Sequence, residues 1–423
     1  MLYADLLIHS ADMMATMRGY SGCPARGEGM SEIGPIKDGA VAIREGKITA
    51  VGTTEELLAG GCVGPETIQI SAKGKVVSPG FVDPHTHVIY AGSRENELSL
   101  KLKGVPYLEI LKQGGGILST VRSTKQATDE EIKAQTSRRL QTMLSLGTTT
   151  AEVKSGYGLT LEEEMRALRL IKELDNEQVI DLIPTFMGAH AVPAGYNEEE
   201  FTTYLVDDVL PQIAAQSQAE FCDVFCEPGV FSVASSERIL AKAKQLHFKL
   251  KIHADELASA GGAELAAKLK VTSAEHLLQA SDEGIAALAE QRIIAVLLPA
   301  TSFNLAKNSY ARARAMISAG VPVALATDSN PGSSPTESMP LVITLACLYL
   351  RLTPEEALTA VTINAAHAVG RSDLVGSLEV GKQGDVLILD IPNLNYLPYH
   401  FGNNPVEMVI KRGRVVWSAC TSS

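Results

Sequence analysis

A chain of 423 residues, 45% hydrophobic and 20% charged, has too much sequence for one small core and the ordinary composition of a globular protein with a large domain and a smaller one. Its 37 Lys and Arg against 49 Asp and Glu leave a net charge of −12 with no basic tract, which argues against nucleic acid as a partner but not against an anionic small substrate, since one local Arg can receive a carboxylate. No apolar run is long enough to span a bilayer and Met1-Leu2-Tyr3-Ala4-Asp5 lacks the basic start of a signal peptide, so a cytoplasmic protein is expected, without a membrane partner.

The chain opens with a short apolar strand, Leu2 to Ile8. Residues 12–38, rich in Gly, Met and Pro, read as an irregular loop. Ala40 to Arg44 and Ile48 to Val51 flank Glu45-Gly46-Lys47 as a hairpin, and Thr67-Ile68-Gln69-Ile70 alternates. Eight short apolar runs follow: Val76–Asp83, Thr148–Lys154, Val179–Met187, Phe221–Glu227, Lys249–His253, Val271–Glu275, Ile293–Leu298 and Val321–Thr327. Helical patterns such as Leu161 to Leu168 and Ser235 to Gln245 lie between them. Alternating strand and helix in this number predicts a parallel (β/α)8 barrel of the TIM type. An open doubly wound sheet ranks second, because its glycine fingerprint after the first strand is missing. The chain ends in strands again, Asp385 to Leu389, Val406 to Ile410 and Val415-Val416-Trp417 after a Lys411-Arg412-Gly413-Arg414 turn. Two β-rich ends predict a small composite β-sandwich domain, residues 1–78 plus 379–423, beside a barrel over 79–378.

A barrel carries its chemistry at the C-terminal ends of its strands. There the sequence places His85 and His87, then Glu152 to Tyr157, His190, His253 with Asp255 and Glu256, Glu275-His276, and Asp328 with Ser329 and Asn330. His85 and His87, two residues apart on a strand end, share a face and can grip one ion. Three imidazoles and one carboxylate suit Zn²⁺, with Fe as a substitute, so His85, His87, His253 and Asp328 are the expected ligands of one metal ion. Such an ion lowers the pKa of a bound water from about 15.7 toward ~7. His276 is open to three readings: fifth ligand, core histidine, or electrostatic partner of an attacked carbonyl. The last is preferred because four ligands are already found. Glu256 is either a proton carrier or a solvated loop acid. Arg94 is either a carboxylate fork or a surface residue. His190 and Tyr157 are either site residues or packing. His9, His247, His367 and His400 fall off the rim and read as structural or surface residues.

Cys23, Cys62, Cys222, Cys226, Cys347 and Cys420 read as reduced thiols. Cys222 and Cys226 read as core packing, since no second Cys pair completes a four-thiolate site. Gly114-Gly115-Gly116 lacks the Lys-Ser or Lys-Thr of a phosphate loop and reads as a mobile loop over the rim.

Pro79-Gly80-Phe81-Val82-Asp83-Pro84-His85-Thr86-His87, with a late His and Asp, resembles the amidohydrolase superfamily. Within it, Ala91-Gly92-Ser93-Arg94-Glu95, the stretch Gln113 to Val121, Thr148 to Gly158, Phe186-Met187-Gly188-Ala189-His190, Lys251-Ile252-His253-Ala254-Asp255-Glu256 and Asn330 to Glu337 look like the imidazolonepropionase family over nearly the whole chain. The resemblance implies hydrolysis of the cyclic amide bond of 4-imidazolone-5-propanoate to N-formimidoyl-L-glutamate, in histidine degradation. It implies His85, His87, His253 and Asp328 as metal ligands, and Arg94, Tyr157, His190, Glu256, Asn330, Gly332 and Ser333 as substrate contacts. The mechanism expected from these residues has metal-bound water lose a proton to Glu256 or Asp328, with His276 steadying the oxyanion. A homodimer is usual for such barrels. The rivals are a nucleobase or related heterocycle deaminase on the same scaffold, a two-metal dihydroorotase-like enzyme, and an inactive barrel that only binds. The two-metal rival usually needs a Lys at the end of strand four, where Phe221 to Glu227 has none.

Overall fold

The computed structural model describes residues 3–105, 109, 115–216 and 218–419. Eight parallel strands stand side by side in chain order. They are β1 (Phe81–Asp83), β2 (Thr148–Lys154), β3 (Asp181–Ala189), β4 (Phe221–Cys226), β5 (Lys249–Ala254), β6 (Ser273–His276), β7 (Ile294–Leu297) and β8 (Val323–Leu325). The ring closes just above the strands. Thr86 bridges Ser329 in parallel, Asp328 N donates to His85 O at 3.1 Å, and His87 N donates to Ser329 O at 2.9 Å. The strands are buried on both faces because helices cover the outside. Cys222 and Cys226 lie in that core as free, buried thiols.

The helices start where the sequence offers caps. Thr128 accepts from Glu131 N while the Glu131 side chain accepts from Thr128 N, which satisfies two orphan donors at the head of Asp129–Ser145. Leu161–Glu177 buries Leu168, Ile171 and Leu174 on one stripe. Among the described residues, no helix is long and apolar enough to cross a membrane.

Two further sheets form the composite region. One is four-stranded and purely N-terminal, ordered Lys47–Thr53, Gly39–Arg44, Leu6–Ala11 and Ile68–Ser71. The other is six-stranded and drawn from both ends, ordered Arg414–Ser418, Val406–Lys411, Val386–Leu389, Val76–Pro79, Met13–Ala15 and Pro35–Ile36. Leu6, Ile8, Val41 and Ile43 of the first share a core with Val77, Val386, Ile388 and Ile410 of the second.

Two expectations need correction. The run Val76–Asp83 is not one barrel strand. Val76–Pro79 pairs antiparallel with Val386–Leu389, and only Phe81–Asp83 joins the barrel. Gly80 marks the change of sheet, and a Cβ there would lie 2.2 Å from Thr149 Oγ1. Residues 12–38 are not wholly irregular either. Met13–Ala15 pairs with Pro35–Ile36 and with Val76–Pro79, and Gly27–Ser31 forms a 3-10 helix. The glycine run at 114–116 falls partly outside the described residues, and with it the loop reading.

Candidate metal centre and active site

The seam of the barrel builds the centre. Asp83, the last residue of β1, accepts from Thr327 N at 3.2 Å and from Thr327 Oγ1 at 2.5 Å, which ties the start of the barrel to its end. Burial pushes the Asp83 carboxyl up to about 7. Past Pro84 the chain presents His85 and His87 on one side, and the same seam brings in Asp328. His276, Leu277 and Asp328 hold left-handed backbone conformations, with φ of 69°, 57° and 52°. Such conformations cost energy in residues other than Gly and gather where a site dictates geometry.

The three imidazoles of His85, His87 and His253 each offer a ligand atom within 4.8 Å of the others, and all three residues are buried. Asp328 Oδ1 lies 3.4 Å from His85 Nε2 and 3.6 Å from His87 Nε2. His85 Nε2 and His87 Nδ1 are buried without a hydrogen-bond partner. An orphaned buried nitrogen is costly, and a shared cation gives His85 Nε2, which faces Asp328, a partner. Burial first, and then the Lys154 ammonium for His85 and the His190 ring for His87, hold both imidazoles well below their ordinary pKa. They stay neutral, the form that binds metal. Burial raises Asp328 to about 6. Thr301 Oγ1 donates to its Oδ2 at 2.6 Å.

Around this cluster stand the other expected residues. The His190 ring stacks on His87 with centroids 5.0 Å apart, and Tyr157 lies 5.4 Å from His190. His190 Nδ1 donates to Gly156 O at 3.0 Å. Burial lowers the His190 pKa to about 3 and raises that of the Tyr157 phenol, so one stays neutral and the other protonated. Glu256 Oε2 is 3.6 Å from His276 Nε2, which brings the two expected catalytic groups together. The loop that carries Glu256 is pinned by Glu227, whose carboxylate accepts from Glu256 N at 3.0 Å and Ala258 N at 2.8 Å.

Arg94 is less solitary than expected. Its Nε and Nη2 donate to the two oxygens of Glu97 at 3.0 and 2.9 Å, and both side chains are nearly buried. Gly332 sits directly against the same guanidinium. Asn330 shapes the turn that follows Asp328. Its Oδ1 accepts from Gly332 N and Ser333 N, both at 2.8 Å, and its Nδ2 donates to Asp328 O at 2.6 Å.

Sequence reasoning missed several residues here. Glu97 follows Arg94 by one turn and holds it. Lys307 Nζ lies 3.8 Å from Glu256 Oε1. The sequence reading places Glu152, Lys154 and Glu275 on the rim without a role and gives Asp223 and Lys251 none; all five are fully buried inside the barrel. Their signal was present, since a charge inside an apolar strand is rarely left without a partner. Of the histidines read as off the rim, His367 Nε2 is 2.7 Å from Tyr20 O, in a structural role.

The model of the amidohydrolase family matches residues 76–416, and that of the "imidazolonepropionase-like composite domain, bacteria" matches residues 39–59. The chain is 54% identical to an imidazolonepropionase of Alkaliphilus oremlandii over 414 residues, covering 97% of this chain and 98% of that one. It is 52% identical to an imidazolonepropionase of Symbiobacterium thermophilum over 415 residues, covering 97% of each. Among solved structures, an adenosine deaminase from Xanthomonas campestris with bound zinc superposes with a TM-score of 0.71 at 21% identity, covering 98% of this chain and 93% of that one. A 5-methylcytosine deaminase from Klebsiella pneumoniae reaches a TM-score of 0.73 at 16% identity, covering 97% and 98%. At such identities the two deaminases bear on the fold alone.

Proposed function

Because the chain belongs to the amidohydrolase family, and within it to the imidazolonepropionases, it is a hydrolase of histidine degradation, and we propose that the rim described above is where it opens 4-imidazolone-5-propanoate. His85, His87, His253 and Asp328 would hold one metal ion, zinc before iron, because three imidazoles and a carboxylate suit that ion. When bound, such an ion supplies Lewis acidity and makes water a nucleophile near neutral pH.

The remaining chemistry belongs to the side chains. Arg94, oriented by Glu97, receives the propanoate through its guanidinium. Tyr157, His190, Gly332 and Ser333 line the ring, and Asn330 holds the turn that carries the last two. Glu256 takes the proton of the attacking water, with Asp328 as the second candidate. The ring carbonyl carbon gains the water oxygen, and His276 steadies the negative charge on the carbonyl oxygen. Glu256 then returns the proton to the ring nitrogen as the C–N bond breaks, leaving N-formimidoyl-L-glutamate. We further take the enzyme to be a cytosolic homodimer, which sedimentation of the purified protein tests.

The observation that carries this reading is the approach of Asp328 Oδ1 to both His85 Nε2 and His87 Nε2, at 3.4 and 3.6 Å, across the seam between the first and last barrel strands. The test supplies imidazolone propanoate to zinc-replete protein and follows the loss of its ultraviolet absorbance. Disappearance of the chromophore with formation of N-formimidoyl-L-glutamate is expected. A stable chromophore, with ammonia released from a nucleobase instead, would overturn the reading in favour of a deaminase.

A further inference from the structure

A barrel interior is ordinarily filled by branched apolar side chains. Here Glu152 and Lys154 on β2, Asp223 on β4, Lys251 on β5 and Glu275 on β6 occupy it, all with no exposed side-chain surface. Burying an ion costs several kcal/mol even after relaxation, so such a group persists where its geometry is well satisfied. Most of the lattice is satisfied, with Glu152 Oε2 and Asp223 Oδ1 left without a hydrogen-bond partner. Lys154 Nζ donates to Glu152 Oε1 and to Asp223 Oδ2, both at 2.7 Å. Lys251 Nζ donates to Pro84 O at 3.0 Å, Ser273 Oγ at 3.1 Å and Glu275 Oε1 at 3.3 Å. Ser273 Oγ adds a second donor to Glu275 Oε1, at 2.5 Å.

Two carboxylate oxygens of this lattice point at imidazoles. Glu275 Oε2 lies 2.7 Å from His85 Nδ1, and Asp223 Oδ2 lies 3.1 Å from His253 Nδ1. Glu275 accepts the Nδ1 proton of His85, which leaves its Nε2 lone pair available, while Asp223 stands at ion-pair distance from a His253 Nδ1 that has no hydrogen-bond partner. In His85 it is Nε2 that faces Asp328 Oδ1 and has no hydrogen-bond partner. Glu275 is in turn fixed by Lys251 and Ser273, and Asp223 by Lys154. The ammonium of Lys251 also holds the carbonyl of Pro84, the residue before His85.

We infer that Glu275 and Asp223 are positioning residues that set the tautomer and ring angle of His85 and His253, and that Lys251 and Lys154 hold those two carboxylates in place, so that the ionic lattice beneath the rim sets how tightly the cluster keeps its metal. This rests on the reading of His85, His87, His253 and Asp328 as ligands. Three acids against two ammoniums also leave one negative charge behind the cation.

The test titrates zinc into metal-free protein against a chromophoric chelator, for the wild type, Glu275→Gln, Asp223→Asn and Ser273→Ala. A wild type that binds no zinc would sink the ligand reading itself. With a wild type that binds one zinc, Glu275→Gln and Asp223→Asn should each weaken binding about 10–100-fold, and Ser273→Ala less. The same variants, labelled with ¹⁵N-histidine and free of metal, should show His85 or His253 leaving the Nδ1–H tautomer in long-range proton–nitrogen spectra. Circular dichroism checks that each is folded. Folded variants with wild-type zinc affinity and unchanged tautomers overturn the inference. Should both carboxylate variants fail to fold, Ser273→Ala decides it: an unchanged affinity and an unchanged His85 signal have the same consequence.

Discussion

A Cβ atom on Gly332 would lie 2.1 Å from Arg94 Nη1, so the guanidinium fills the space that any larger residue at 332 would need. The backbone there is not left-handed, and the demand for glycine is purely spatial. Gly332→Ala should therefore push Arg94 aside by about an ångström. A shift of that size in a substrate-holding group can cost about 10²-fold in kcat/KM. Most of the loss should appear in KM, with zinc content unchanged, as steady-state kinetics and metal analysis would show. An unaltered KM would mean that Arg94 does not meet the substrate.

Arg94 uses two edges of one planar group: Nε and Nη2 hold Glu97, and Nη1 packs against Gly332. Arg94→Lys keeps the charge but not the fork. We expect KM to rise about 10–100-fold for imidazolone propanoate, an amount consistent with losing charge-assisted hydrogen bonds of about 1.5–3 kcal/mol. An analogue without the carboxylate should bind both forms equally. Inhibition constants for the two compounds decide the matter, and equal losses for both would point to a packing defect instead.

Glu256→Gln removes the proposed proton carrier and leaves the four proposed ligands intact. Turnover should fall about 10²–10⁴-fold, the usual worth of a general acid–base group. The variant should still bind zinc. Near-normal turnover would transfer the proton role to Asp328.

His190 gives a pH signature. Burial, and then the neighbouring His253 ring, depress its pKa to about 3, against 6.5 for a free imidazole. Between these values the unfolded chain binds a proton that the folded one refuses. Stability from this group is therefore full above the ordinary histidine pKa and is lost as pH falls below it, by up to about 1.4 kcal/mol per unit. His190→Gln should flatten the fall in unfolding free energy between pH 6.5 and 5, measured by urea titration at each pH. A slope equal to that of the wild type would show that His190 is protonated in the folded protein.

Much of the centre was legible because strand geometry is simple. The period of two puts His85 and His87 on one side, and barrel logic puts Asp328 at the matching end of β8. Glu97 was not legible, since it lies in a 3-10 turn, Glu95–Glu97, without periodic context. Nor was the pairing of Glu275 with His85, residues 190 apart in sequence, which depends on how far each side chain reaches across the closed ring. The change of sheet at Gly80 was hidden inside an unbroken apolar run. Met13–Ala15 and Pro35–Ile36 are strands of three and two residues, too short to show alternation.

The passage from Val76–Pro79 into Phe81–Asp83 has a consequence for how the molecule comes into being. Val76–Pro79 finds its antiparallel neighbour only in Val386–Leu389, some three hundred residues later. The segment leading to the first two histidines thus stays half-paired until Val386–Leu389 has been made. Pairings so distant in sequence form slowly. A nascent chain stopped before Val386 would carry His85 and His87 without the frame that aims them.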